Sequence, residues 1–281
     1  MRRVLTIALF VLIFLIGFSV LLYPAVSDYY NSLRHIRAVE DYYKAINDLN
    51  KLDYTVMLEA AQAYNKRLLS KPNRYSMTEE EKAEYNSLLD PSGLGIIGTL
   101  EIGIIDIHLP IYHGTSEGVL RDGLGHLEGS SLPIGGVGSH AVITGHRGLP
   151  TSTLLTNIDR LILGDTFNLN VLGEKLYYRI DQILVVEPRD TDALAIDPNA
   201  DYCTLVTCTP YGINTHRLLV RGYRIDAETA AEFIRPSRIP AEARIYASAR
   251  ASLLVIIPTM ITVLVKLFIR LRRVYGRGKK Q

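Results

Sequence analysis

A cysteine at the end of a β-branched stretch is the first candidate for chemistry. Residues 204–210 read Thr-Leu-Val-Thr-Cys-Thr-Pro, so Cys208 ends a predicted strand and a turn at Pro210 follows at once. Such a placement exposes a thiol at a strand edge, and the polar neighbours favour a cleft there. The alternative is a small buried core cysteine, which is the commoner fate of a cysteine in a strand. This segment alone leaves both interpretations open.

A histidine and an arginine lie at the ends of neighbouring predicted strands. His146 stands in the segment Thr-Gly-His-Arg-Gly, residues 144–148, with a glycine on each side of the His-Arg pair. Arg217 opens the strand that follows Cys208 across a turn. In an antiparallel pair the start of one strand lies near the end of its neighbour, so Arg217 is predicted beside Cys208. Taken singly, a solvated histidine and a surface arginine are the plain alternatives.

A thiol, an imidazole and a guanidinium together suit nucleophilic acyl transfer. A thiolate attacks a carbonyl far better than a thiol, and a nearby cation lowers the pKa of a cysteine. Imidazole carries protons near neutral pH, while arginine stays charged and can stabilise an oxyanion. Cys208, His146 and Arg217 are therefore the predicted catalytic residues.

The cysteine and histidine counts argue against a disulfide scaffold and a metal site. Cys203 and Cys208 are the two cysteines, five residues apart in one predicted strand. Their side chains are expected on opposite faces, so they cannot meet without a bulge, and at least one thiol is predicted to be free. His140 and His146 share a strand face but lie too far apart along it to bind one metal ion. No metal and no organic cofactor is expected.

The middle of the chain predicts a mainly β domain. Short β-branched runs separated by Gly, Pro and Asn occupy residues 98–110, 139–145, 165–172, 175–187, 202–207 and 217–225. Several short strands with turn residues between them predict a sheet closed into a small barrel or sandwich.

Helical segments are predicted on both sides of the β domain. Residues 28–69 predict one helix without Gly or Pro inside it, and a second helix begins at Thr78, where Thr78 and Glu81 form a capping-box pair, and runs to about Leu89. After the β domain, residues 226–251 predict an amphipathic connector helix.

Two apolar segments predict membrane attachment. Residues 4–23 carry no charge and are long enough to cross a bilayer core at about 1.5 Å per helical residue. A cleaved secretory signal is the alternative, since Ala25 and Ser27 form a small-x-small pattern. A second apolar run, 253–269, precedes an Arg- and Lys-rich tail, which is typical of a stop-transfer segment. Positive residues favour the cytoplasmic side, so both termini are predicted inside and the rest outside the cell.

The charge pattern favours lipid over nucleic acid as a partner. The formal net charge is +2, and the basic tail lies beside an apolar segment, where contact with anionic lipid explains it. A nucleic-acid partner is not predicted.

Residues 204–222, TLVTCTPYGINTHRLLVRG, together with residues 143–150, ITGHRGLP, resemble the motifs of the sortase family. The likeness covers about residues 96–225. It implies the closed sortase-type β-barrel, with Cys208, His146 and Arg217 as its catalytic residues.

Other features resemble class C sortases, which polymerise pilins. These are the long N-terminal helical arm, the second membrane segment and Asp90-Pro91 just ahead of the barrel. In that class an Asp-Pro-aromatic lid covers the empty site, so the resemblance implies a lid of Asp90, Pro91 and Ser92 with Asp90 facing Arg217. Ser92 supplies no ring, and an ordinary turn is the alternative interpretation of this segment.

The resemblance implies cleavage of an LPxTG-like sorting signal between Thr and Gly through a thioester, followed by attack of a lysine amine from the next pilin. The alternatives are a housekeeping sortase that uses a cell-wall precursor, a cysteine protease and a non-catalytic scaffold for pilus assembly.

The implied organisation is an anchor or signal over 1–27, a helical arm and lid over 28–95, the barrel over 96–225, the connector helix over 226–251, and a membrane segment with a basic tail over 252–281.

Overall fold

The structure is a computed structural model that describes residues 2–233, 235–239, 261, 262 and 266. The β domain lies within one compact unit, Asn31–Ile239. Most of the predicted second membrane segment and its basic tail, 252–281, lies outside the described residues, so that prediction is not tested.

The first helix, α1, spans Arg2–Asp48 and continues through Pro24. Its stretch Leu9–Asp48 is long and apolar enough to cross a membrane, and the most apolar window has a mean hydropathy of 2.6 with none of it buried. By length and composition this agrees with the predicted N-terminal anchor.

The helical arm contains three helices where the sequence predicted two. After α1 come α2, Lys51–Leu68, and α3, Glu79–Ser87. The prediction of one helix over 28–69 is wrong because the chain breaks at Leu49 and Asn50. The Asn50 side chain accepts the backbone N–H groups of Leu52 and Asp53, as an N-cap residue does. The predicted capping box at the start of α3 is confirmed, with both of its hydrogen bonds present.

Buried polar contacts fix the arm against the β domain. The Tyr42 hydroxyl donates to the Ile97 carbonyl at 3.2 Å and accepts the Leu172 N–H at 2.9 Å. Asn65 exchanges two hydrogen bonds with the backbone of Leu132, at 3.0 and 2.7 Å. All of these groups are buried, so breaking the contacts would leave polar atoms without partners.

Eight strands form a closed barrel, which confirms the predicted fold class. They are β1 Ile96–Ile102, β2 Ile107–His113, β3 Leu124–His126, β4 Ser139–Thr144, β5 Thr166–Val171, β6 Glu174–Val186, β7 Asp201–Thr209 and β8 His216–Ile225. Their order around the barrel is β1-β2-β3-β4-β7-β8-β6-β5, and β5 pairs with β1 to close it.

Alternation along β7 sends its side chains to two different surroundings. Cys203 and Leu205 are fully buried in the main core cluster, together with Ile143 of β4 and Val220 of β8. Val206 belongs to a second, smaller cluster on the other face. Because successive residues of a strand point to opposite faces, Cys208 shares the face of Val206.

Two β segments differ from the sequence prediction. The predicted run 98–110 is two antiparallel strands, β1 and β2, joined by a short 3-10 turn, Gly103–Ile105, that ends at Asp106, whose backbone is left-handed with φ of 52°. The three-residue strand β3 was not predicted at all.

The helix after the barrel, α5, is short. It spans Ala227–Glu232 and is capped by Asp226, whose side chain accepts the Thr229 N–H. The prediction of a helix over 226–251 is therefore wrong for residues 235–239, which are not helical. Pro236 explains the end, since the residue before a proline disfavours the α region. Residues 240–251 lie outside the described part of the chain.

Candidate active site

Cys208 and Arg217 form a directly opposed pair across two antiparallel strands. β7 and β8 pair along their length, and the register places Cys208 opposite Arg217 and Thr209 opposite His216. Residues opposite each other in such a pair lie on the same face, with Cα atoms about 4.5 to 5.5 Å apart. The structure thus brings these two predicted site residues together.

His146 follows the strand on the other side of β7. β4 and β7 run parallel, with Thr144 beside Val206, and the Gly145 N–H continues this pairing by donating to the Val206 carbonyl at 3.1 Å. The Thr207 hydroxyl donates to the Gly145 carbonyl at 2.8 Å. His146 comes two residues after Thr144, just as Cys208 comes two residues after Val206. The register therefore carries both residues to the same end of the barrel.

Cys208 lies on the central one of three neighbouring strands. Neighbouring strands are about 4.8 Å apart, so the backbone of Arg217 lies about one strand spacing from that of Cys208, and His146 follows the end of the strand on the other side. The parallel pairing of β4 with β7 supplies the histidine, and the antiparallel pairing of β7 with β8 supplies the arginine.

The two cysteines have different surroundings. Both are free, with Cys203 buried and Cys208 partly exposed. Burial raises the pKa of the Cys203 thiol well above its ordinary value, and the Asp201 charge acts in the same direction. A buried thiol that resists ionisation is a poor nucleophile, so the partly exposed Cys208 is the better candidate.

Histidine and arginine at the candidate site are both available for chemistry. Burial lowers the pKa of His146 below its ordinary value, and the Glu117 charge opposes this shift. His146 is therefore neutral at physiological pH in the free protein. The Arg217 guanidinium donates to the His216 carbonyl at 3.1 Å and to the Asn214 carbonyl at 3.4 Å. Within residues 2–233 and 235–239 no ion pair involves Arg217, so its charge is not neutralised by a carboxylate.

An apolar surface lies on the same face of the strands as Cys208. Its buried members are Val142, Leu194 and Leu219, and Leu127, Leu184, Val186, Ala193 and Val206 pack against them. Leu219 is opposite Val206 in the strand register, one side-chain row below the Cys208–Arg217 pair. The candidate site therefore combines polar groups at the strand ends with an apolar floor.

The predicted lid residues occupy a turn of their own. The Asp90 carboxylate accepts the Gly95 N–H at 3.0 Å and the Ser92 hydroxyl at 3.3 Å. Pro91 and Ser92 line a small pocket with Asp41 and Lys44 of α1. The expected contact between Asp90 and Arg217 is not formed. Asp90 stabilises a local turn because the backbone N–H group of Gly95 lies within its reach.

Arg147 beside the site and His140 near the start of β4 have contacts that the sequence did not predict. Arg147 forms an ion pair with Asp159 at 2.5 Å, and its side chain is 8% exposed. His140 contacts the Ala195 carbonyl at 2.8 Å and the Thr204 hydroxyl at 2.7 Å. The glycines flanking the His-Arg pair signalled a crowded backbone, but the partners of Arg147 are distant in sequence.

A metal site is not found in the described part of the chain, where no group of three or more His, Cys, Asp and Glu side chains has suitable spacing.

Comparisons with known proteins agree with this geometry. The family model described as "Sortase domain" matches residues 100–225. Sortase D from Bacillus subtilis (strain 168) is 26% identical over 179 residues, which cover 62% of this chain and 87% of that protein.

Solved structures show greater similarity. Sortase C1 from Streptococcus agalactiae is 47% identical with a TM-score of 0.66, and the match covers 68% of this chain and 98% of that one. Sortase A from Corynebacterium diphtheriae is 43% identical with a TM-score of 0.60, covering 70% and 94%. Sortase C from Clostridium perfringens, solved with the C-terminal cell wall sorting motif, is 41% identical with a TM-score of 0.59, covering 68% and 99%.

The chain therefore belongs to the sortase family, whose members are cysteine transpeptidases. Its likeness to sortase C1 proteins agrees with the class C resemblance of its sequence.

Proposed function

We propose that this sortase cleaves an LPxTG-like sorting signal between Thr and Gly and joins pilin subunits through a lysine side chain. The observation that carries the proposal is the position of Cys208 on the central strand, with Arg217 directly opposite and His146 two residues after the end of the other neighbouring strand. The similarity to sortase C1 proteins supports pilin polymerisation as the particular reaction.

In the first step neutral His146 takes the proton of the Cys208 thiol, and the resulting thiolate attacks the threonine carbonyl carbon to form a C–S bond. The electrons of the carbonyl move to oxygen, and the Arg217 guanidinium stabilises the resulting negative charge, with help from nearby backbone N–H groups. The C–N bond to glycine then breaks. Protonated His146 gives its proton to the departing amine, and a thioester remains on Cys208.

In the second step a lysine amine of the next pilin attacks the thioester carbonyl. His146 takes a proton from the amine, the C–S bond breaks and the Cys208 thiolate is restored, leaving an isopeptide bond between the two subunits. The proton balance closes over the two steps, and the reaction as written requires no metal or organic cofactor.

The apolar floor supports a role in substrate binding. Val142, Val206 and Leu219 form it beside Cys208, and the leucine and proline of an LPxTG-like signal are the apolar groups that such a surface would bury. The likeness to the Clostridium perfringens sortase C, which was solved with its C-terminal cell wall sorting motif, supports the same class of substrate for this chain.

The proposed location follows from the membrane helix. The apolar part of α1 would anchor the chain in the cell membrane, with the barrel outside the cell and, if α1 is not cleaved, both termini in the cytoplasm. The membrane and the pilins are thus the proposed partners.

The test uses the full chain in detergent micelles with purified pilins that carry sorting signals. The expected products are covalent pilin oligomers whose crosslinked lysine is identified by mass spectrometry, and Cys208→Ala should abolish them. Lipid-linked peptidoglycan precursor serves as the competing amine. Product formed with that precursor alone would favour a housekeeping sortase, release of a free carboxylate would favour a protease, and full oligomer ladders from Cys208→Ala would favour a scaffold.

A further inference from the structure

Arg147 connects three segments that meet at the candidate active site. It follows His146 directly, and its side chain is 8% exposed. One guanidinium nitrogen, Nη2, donates to the Asp159 carboxylate at 2.5 Å, while Nη1 lies 3.5 Å from the Thr209 hydroxyl. Asp159 belongs to a short 3-10 helix, Ile158–Arg160, and Thr209 is the neighbour of Cys208. A single side chain thus joins the segment after His146 to the strand end that carries Cys208.

The turn between β7 and β8 packs on the same residue. The Arg147 guanidinium carbon lies 5.9 Å from the centre of the Tyr211 ring. The Tyr211 ring also covers Gly148, where a Cβ atom would come within 3.1 Å of it. Gly148 has a φ of 78°, which favours glycine. Arg147 and Gly148 therefore fix the turn that leads from Cys208 to Arg217.

Backbone contacts hold His146 from the other side. The His146 carbonyl accepts the Leu155 N–H at 3.2 Å, and the Gly148 N–H lies 3.3 Å from the Thr156 hydroxyl. These contacts fix the backbone of the loop but do not reach β7, and the hydrogen bonds of Gly145 reach β7 at Val206 and Thr207, short of Cys208. Among the residues that the structure describes, Arg147 is the side chain that extends this connection to Thr209, next to Cys208.

We propose that Arg147 is a positioning residue of the transpeptidase, which holds His146 and the β7–β8 turn in register with Cys208. This inference rests on the proposed function of Cys208 and His146. Arg147 itself need not touch the substrate. Its planar guanidinium can bind Asp159 and reach Thr209 at the same time, and a lysine ammonium offers a single nitrogen in place of the two.

Three variants of the full chain in detergent micelles test the proposal, with a sorting-signal peptide as substrate. We expect Arg147→Met to lower kcat about 100-fold, since a displacement of about 1 Å at a catalytic group has that effect, and to change KM by no more than about threefold. Arg147→Lys should retain an intermediate kcat, and Asp159→Asn should lower kcat in the same direction because it weakens the ion pair.

A second readout separates positioning from general stability. The alkylation rate of Cys208 is measured against pH in the wild type, Arg147→Met and His146→Ala. If Arg147 holds the imidazole beside the thiol, the profile of Arg147→Met should move to that of His146→Ala. A wild-type profile in Arg147→Met would overturn the proposal, because the imidazole would then keep its place without the arginine.

Lys71→Met is the matched control. Lys71 forms an ion pair with Glu81 at 2.5 Å, and their side chains are 25% and 36% exposed. Lys71 follows α2 and Glu81 lies in α3, so the pair belongs to the helical arm and not to β7, β8 or the 3-10 helix that carries Asp159. This variant should lower the melting temperature but keep the wild-type kcat of the folded protein. Equal kcat losses in Lys71→Met and Arg147→Met would overturn the positioning role, as would a wild-type kcat in Arg147→Met.

The same measurements show whether the proposed function itself fails. If the wild type does not cleave the peptide, or if Cys208→Ala cleaves it as well as the wild type, the proposed function is wrong. If both behave as expected and Arg147→Met keeps the wild-type kcat and alkylation profile, the positioning role alone is wrong.

Discussion

Cys208 and Arg217 face each other across β7 and β8 at the end of the barrel where the turn of residues 210–215 joins the two strands. The pair is set by a local antiparallel register, so small changes elsewhere in the fold leave the two residues opposite each other. Arg217 forms no ion pair in the described part of the chain. The strand pairing, and not an ion pair with a carboxylate, therefore places Arg217 opposite Cys208.

Arg217→Gln should lower kcat about 100- to 1,000-fold, the usual effect of losing a group that stabilises an oxyanion. Arg217→Lys should retain part of the activity, since it keeps the charge but not the fork of donors. Both are measured by peptide cleavage with the full chain in detergent micelles.

Thermal unfolding is the control for these two variants. Because Arg217 is partly exposed and in no ion pair within the described residues, the melting temperature should change little. A glutamine variant with wild-type kcat would show that Arg217 does not stabilise the transition state.

Tyr85→Phe should weaken the attachment of the arm to the barrel. The buried Tyr85 hydroxyl donates to Nδ1 of His126 at 2.8 Å and accepts the Gly114 N–H at 3.0 Å. Removing it leaves buried polar groups unpaired, at a cost of about 1 to 3 kcal/mol. For a unit of this size each kcal/mol lowers the melting temperature by about 2 to 4 °C.

Tyr64→Phe is the matched control on the neighbouring helix. The Tyr64 and Tyr85 rings lie 6.1 Å apart, but the buried Tyr64 hydroxyl has no hydrogen-bond partner among the described residues. Its removal should be neutral or slightly stabilising. If both variants unfold at the same temperature, the Tyr85 hydrogen bonds do not stabilise the arm.

The strands that carry the candidate site could be predicted from the sequence because their signals are local. Cys208 and Arg217 lie on two strands separated by one turn, so antiparallel pairing was the simplest arrangement. The position of His146 could not be predicted from such local signals, since β4 and β7 are parallel strands far apart in sequence. The resemblance to sortases, and not strand propensity, supplied that contact.

Other features depend on tertiary contacts that the sequence does not display. β3 has three residues and exists because β2 and β4 pair with it on either side. Asp90 was expected to contact Arg217, but its carboxylate accepts a hydrogen bond from the nearby Gly95 N–H. The break at Asn50 did have a local signal, because asparagine favours the N-cap of a helix.

Acid should destabilise the protein through two buried histidines. Burial lowers the pKa of His126 to about 4, and the nearby charge of His113 adds to this while the Ser131 carbonyl opposes it. Burial likewise lowers the pKa of His140 to about 4, opposed by the Ala195 carbonyl. Between pH 6.5 and 4 the unfolded chain binds protons at these positions that the folded protein does not, so stability falls as the pH falls.

Between pH 7.5 and 4.5 the free energy of unfolding should fall by about 2 to 3 kcal/mol per histidine. The fall is followed as a decrease in the melting temperature of the full chain. His140→Gln tests the assignment, because glutamine can donate to Ala195 and accept from Thr204 without titrating. The variant should lose less stability on acidification than the wild type. An equal loss in both proteins would show that His140 does not contribute to the pH dependence.

Asp90→Ala distinguishes a local turn from a closed lid. Because its carboxylate binds Gly95 and Ser92, we expect the variant to lose about 1 kcal/mol of stability, while the initial rate of peptide hydrolysis and the alkylation rate of Cys208 stay at the wild-type values. A lid held by Arg217 predicts the opposite, with both rates rising when the carboxylate is removed. Ser92→Ala is the control, since it removes a hydroxyl from the same turn without removing a charge. A rise in hydrolysis and alkylation in Asp90→Ala, but not in Ser92→Ala, would restore Asp90 as the residue that closes the site.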